Sequence, residues 1–204
     1  MPTPEQILAA LQQTSAQYRI LAVVWHLLFG AAIIAIVAGY RPTRRTAAVL
    51  LTLPLLSVSV IASIAGNPFN GGMFGIFWIG LFMIAKRMPA SAVEVDRRWL
   101  LSGSVLIIFG WIYPHFFTGD GAWHYIATAP LGVVPCPTLS MLIGATILFG
   151  GFASRSWMRV LGAAGLLYGV FGAFRLGVTI DIVLLAAALL LLYISVRQTP
   201  PVLR

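Results

Sequence analysis

The chain has 204 residues, 60% of them hydrophobic and only 9% charged, at a mean hydropathy of +0.96. An ordinary soluble domain is roughly 25% charged, and one core of this size does not bury so much apolar surface; disorder is excluded too, because it needs low hydrophobicity and high charge. The net charge of +8 elsewhere suggests nucleic acid, but in so apolar a chain the placement of Lys and Arg reports orientation in a lipid bilayer.

In chain order, Thr3-Pro4-Glu5-Gln6 carries an N-cap, a proline at the first helical position and a capping box. Ile7, Leu8 and Leu11 then share one face. This pattern predicts an amphipathic helix within 1–18, lying on the outer membrane surface. The first apolar run is not a cleavable signal, because Glu5 precedes it and arginines follow it. Seven apolar runs then read as spanning helices: 20–39, 47–65, 71–85, 99–113, 137–152, 158–174 and 178–196. The third and fourth are about three-quarters of ideal length. No strand-length stretch alternates with period two, which argues against a β-barrel. The fold expected is therefore all-α: a seven-transmembrane-helix bundle over 19–196, an N-terminal amphipathic helix, an ordered outer loop over 114–136 and a cytoplasmic tail over 197–204.

Charge orients the bundle. Arg41, Arg44, Arg45, Lys86, Arg87, Arg97, Arg98, Arg155, Arg159, Arg197 and Arg204 fall in alternate connections or the tail. Only Arg19 and Arg175 fall on the other side. The positive-inside rule puts the N-terminus outside and the C-terminus in the cytoplasm of a bacterial inner membrane. Packing falls to small residues, since lipid provides no hydrophobic drive between helices. Gly162, Gly165, Gly169 and Gly172 share one helix face, and Gly103 and Gly110 lie seven apart. Both sets predict contacts within the chain. Pro54 predicts a kink, and Trp99, Trp157, Trp111 and Trp123 read as an interfacial belt.

Chemistry concentrates in the outer loop. His115, Asp120, His124 and Cys136, the single cysteine, supply the donor types of a transition-metal site. Cys136 lies between Pro135 and Pro137, so a helix starting at Pro137 puts it at or near the N-cap, where the helix dipole favours a thiolate. The competing reading is a small apolar residue beside a proline turn. His26, Tyr113, Arg175 and Asp181 join the same outer half, where they would line a polar cavity. An Arg175–Asp181 pair across the short turn accounts for those two structurally.

The elements Thr3-Pro4-Glu5-Gln6, Asn67-Pro68, Tyr113-Pro114, His124-Tyr125, Gly132, Pro135-Cys136-Pro137-Thr138 and Leu176-Gly177-Val178 with Asp181 resemble a family of bacterial multi-spanning membrane proteins defined by a domain of unknown function. The Pro-Cys-Pro-Thr element is its most specific part. The resemblance implies architecture and no activity, substrate or site residue. The sequence lacks a Walker motif, His-Glu-x-x-His, Gly-x-Ser-x-Gly and Cys-x-x-Cys. Three functions follow as expectations. The first is binding or transport of a metal ion or small solute through the outward cavity. The second is an accessory subunit docked to other membrane proteins. The third is a thiol enzyme using Cys136 with His115 or His124 as base; it ranks last, because no orienting group or oxyanion donor is identifiable.

Overall fold

Capping chemistry sets where the helices begin. In the computed structural model, which describes residues 3–116 and 123–197 (backbone only at 116 and 123–125), every regular element is helical. Helix α1 spans Pro4–Gln17, with the Thr3 hydroxyl accepting from the Gln6 amide and the Gln6 side chain accepting from the Thr3 amide. The Glu5 carboxylate is held below its ordinary range, first by a backbone hydrogen bond and then by Thr3. Helix α2 (Arg19–Val37) follows directly after Tyr18, the turn residue between the two helices. Helix α3 (Arg44–Ile64) is capped by Thr43 and runs through Pro54. Helix α4 (Pro68–Lys86) starts three residues earlier than the apolar run suggests, because Asn67 caps it and Pro68 occupies its first turn. That start gives it 19 residues, about 28 Å at 1.5 Å per residue.

The remaining helices are α5 (Leu100–Ile112), α6 (Trp123–Thr128), α7 (Pro135–Leu148), α8 (Arg155–Val170) and α9 (Asp181–Arg197). Helix α8 widens into a π turn over Phe171–Arg175. Among the described residues, four helices are long and apolar enough to cross a membrane: α2, α3, α4 and the continuous Arg155–Arg175. Helices α5, α7 and α9 are shorter.

Helix α3 packs chiefly on α4, α5 on α7, and α8 on α9. Helix α7 is the hub of the bundle, touching α3, α5, α8 and α9. From Pro137 to Ile147 every residue of α7 is buried, which is why its sequence is apolar all round rather than amphipathic. Glycines allow this closeness. A Cβ at Gly110 would stand 2.6 Å from the Met141 backbone nitrogen, and one at Gly144 would stand 2.8 Å from that of Ile107. On α8, Gly162 faces Leu192, Gly165 faces Ile143 and Ala188, and Gly169 faces the Leu185 backbone at 2.8 Å. Both glycine stripes pack within the chain.

Three local features depart from the sequence reading. Helix α7 begins at Pro135, so Cys136 is its second residue and not its cap. Pro135 and Pro137 both fit there, since first-turn amides have no intrahelical acceptor in any case. The fifth apolar run does not stay helical to residue 152. It ends in a left-handed turn with positive φ at Gly150, Gly151, Phe152 and Ala153. Trp157 is buried in the core rather than at an interface, and its indole donates to Thr146 at 3.0 Å.

Candidate functional site

Non-helical backbone buried in a bundle needs its polar groups bonded, and residues 129–134 satisfy that need locally. Ala129, Leu131, Val133 and Val134 are all buried. The Val133 and Val134 amides donate to the Pro130 carbonyl, and the Gly132 amide donates to the Thr138 hydroxyl at 2.8 Å. That hydroxyl in turn donates to the Val134 carbonyl at 2.7 Å. Ser57 on α3 donates to the Gly132 carbonyl, and the Trp25 indole on α2 donates to Ser57. Gly132 has φ of +70°, and any Cβ there would enter the Trp25 ring. The Pro-Cys-Pro-Thr element is thus the folded start of α7, with Thr138 fastening the segment before it.

This rigid start holds the Cys136 thiol toward Asp181. Asp181 opens α9 and is 1% exposed. Its Oδ2 accepts from Cys136 Sγ at 3.2 Å, and its Oδ1 accepts from the Tyr113 hydroxyl at 2.5 Å. Tyr113 closes α5, is 1% exposed and packs edge-on against Phe109. The Tyr113 hydroxyl and the Cys136 thiol also interact directly. Helix α8 leaves the space for the carboxylate: a Cβ at Gly172 would collide with Asp181 Oδ2. Four helices therefore meet at one carboxylate whose side-chain partners are a phenol and a thiol, both neutral donors.

A second buried pair adjoins the first. Tyr168 on α8 donates to Asn70 Oδ1 on α4 at 3.0 Å, and it lies within electrostatic reach of Cys136. Neither Tyr168 nor Asn70 is singled out by the sequence. Their only signals are a tyrosine one turn from Gly165 and Gly172 on the glycine face, and an asparagine just past a helix cap.

Other candidate residues fall elsewhere. His26 is 4% exposed, and its ring nitrogens face the Ala22 carbonyl at 2.7 Å and the Trp111 carbonyl at 3.0 Å. The Nε2 side of the ring therefore joins α2 to α5 while Nδ1 faces a carbonyl of its own helix, and Trp111 packs edge-on against the ring. Arg175 is exposed and acts electrostatically on Glu5 of α1, not on Asp181. The expected Arg175–Asp181 pair is replaced because Asp181 turns inward into the room left by Gly172. His115 stands just beyond Tyr113 in a short 3-10 turn, exposed, with partial burial holding its imidazole below the ordinary histidine value. Asp120 and the His124 side chain lie outside the described residues. Among the described residues no cluster of three or more His, Cys, Asp or Glu forms.

The arrangement offers one soft donor and one hard anionic donor side by side, with a phenol orienting the carboxylate. Comparison with known proteins gives no match: no family model, no curated protein and no solved structure is similar to the chain.

Proposed function

We propose that the chain is a seven-span protein of the bacterial inner membrane, with its N-terminus outside, that binds a thiophilic metal ion at Cys136 and Asp181 in its outer half. Helices at all seven apolar runs and the one-sided placement of Lys and Arg support the topology. The observation that carries the function is the Asp181 carboxylate, 1% exposed and with no basic partner among the described residues, 3.2 Å from a thiol. An ionisable group inside an apolar bundle is costly, and it is retained where it serves binding or relay. Two donors on one tetrahedral ion, at about 2.3 Å for sulfur and about 2.0–2.2 Å for oxygen, stand roughly 3.5 Å apart, close to the distance found. On binding, the thiol proton passes to solvent and the sulfur becomes the ligand. Tyr113 keeps the second carboxylate oxygen occupied, which fixes the orientation of the first. Water completes the coordination.

The test is metal stoichiometry on purified protein titrated with Zn2+ or Cu+. About one equivalent per chain is expected, lost in Cys136→Ala and weakened about 10–100-fold in Tyr113→Phe. Metal content indifferent to Cys136 would leave the cluster as a clamp between α5, α7 and α9.

A further inference from the structure

On the basic side of the bundle, two connections fold onto one another. The stretch after α4 returns along the α2–α3 connection. The Arg44 amide donates to the Ser91 carbonyl, the Val93 amide donates to the Pro42 carbonyl, and Thr43 and Ala92 form an antiparallel bridge. Met88 and Val93 are buried in the core, which anchors the returning stretch. Arg45 Nε then donates to the Met88 carbonyl at 2.9 Å. That bond brings the first turn of α3 against the end of α4. Arg45, Lys86 and Arg87 therefore share one corner, all three exposed, with Arg44 next in the chain. Among the described residues no carboxylate pairs with any of these four cations. An apolar strip leads up to the corner. On α4, Ile76, Ile79 and Met83 are exposed, and with Arg87 they recur at spacings of three and four on one face. Lys86 Nζ stands 5.6 Å from the centre of the Phe82 ring, so its stem lies back along the same helix while its charge reaches the end.

We propose that this corner binds the phosphodiester of an anionic phospholipid, with the acyl chains lying along the Ile76–Met83 face of α4. Four cations without a counter-charge favour a lipid of net negative charge over one whose headgroup carries its own ammonium. Guanidinium groups match phosphate oxygens in pairs, and the bond to Met88 fixes the plane of Arg45 while leaving its two Nη groups for the headgroup. The proposal rests on the membrane-spanning reading and involves no metal. The leaflet follows from the orientation proposed above, whereas binding itself is measured without reference to either face.

The test gives purified full-length protein, in mild detergent, equal amounts of phosphatidylglycerol and phosphatidylcholine with the same chains. Bound lipid is counted by native mass spectrometry at about 0.15 M salt, where charges more than about 8 Å apart are largely screened. Phosphatidylglycerol is expected to predominate. Lys86→Gln with Arg87→Gln leaves the Arg45–Met88 bond in place and is expected to cut the ratio about fivefold for each cation removed. Arg98→Gln with Arg197→Gln removes as much charge from the start of α5 and the end of α9, and should leave the ratio unchanged. Excess inorganic phosphate should not displace the lipid, since a free ion makes no contact with the α4 face. Thermal midpoints without added lipid separate a lost site from a damaged fold. Equal retention of the two lipids by the wild type would overturn the site, as would equal losses in the two double variants. Displacement by inorganic phosphate would overturn a lipid as the occupant. A retained preference in a bundle found to be inverted would keep the site and remove only the orientation.

Discussion

At the scale of single residues, Asp181 organises its neighbourhood by accepting from two helices at once. Asp181→Ala withdraws the acceptor from two buried donors, and an unsatisfied buried donor costs about 1–3 kcal/mol. Asp181→Asn keeps one carbonyl oxygen and is expected to lose less, as thermal midpoints in one detergent will show. Gly172 provides the sharper check. Gly172→Ala puts a methyl where Asp181 Oδ2 sits, an overpacking expected to cost about 1–3 kcal/mol. With Asp181→Ala already present the space is free, so the same glycine change should cost at least about 0.5 kcal/mol less. Strict additivity of the two changes would refute the contact. The sequence makes Tyr113, Cys136 and Asp181 visible one by one as polar groups on the outer side. It does not reveal their union, because the partners lie 68 and 45 positions from Asp181. The near neighbour Arg175 is a plausible partner in one dimension and turns elsewhere in three.

At the scale of elements, the α5–α7 contact depends on backbone touching backbone. Gly110→Ala meets the Met141 nitrogen and the Pro137 carbonyl oxygen, neither of which yields without moving a helix. It should destabilise by about 1–3 kcal/mol. Gly80 on α4 has nothing within 4 Å of its Cβ position. There the change to alanine should stabilise by about 0.5–1 kcal/mol through helix propensity alone. Paired melts of the two variants decide the matter, and equal effects would mean that the helix faces are misassigned. The start of α1 is readable from the local Thr3 cap, whereas Thr43 and Asn67, capping by the same local side-chain bond, start α3 and α4 three residues ahead of the apolar runs. The left-handed turn at 150–153 is not readable. Phe152 and Ala153 adopt positive φ despite the penalty for a Cβ. Phe152 is held there by burial at 1% exposure and an edge-on contact with Trp157, and no local pattern announces such tertiary holding.

At the scale of the whole molecule, the apolar runs disclose a helical membrane protein, while spacing alone does not disclose which helix sits at the centre. Helix α7 carries no more hydrophobic residues than its neighbours, yet it is the one surrounded by protein. The proposed orientation predicts that a protease-cleavable tag at the N-terminus is cut on spheroplasts, and that one at the C-terminus is cut only after lysis. The opposite pattern would invert the outer half and every assignment that depends on it. Helix α2 lies at the other extreme. It has the highest hydropathy of the four long helices, 2.6, with only 11% of its apolar window buried. Its buried histidine finds its partner late: His26 bonds a carbonyl 85 positions downstream. At about 5–20 residues per second of synthesis, α2 waits roughly 4–17 s before its anchor on α5 exists. A helix oily enough to stay in lipid alone for that interval, and polar at only a few sites, is suited to wait. Biogenesis thus asks of α2 the self-sufficiency that the finished bundle does not use.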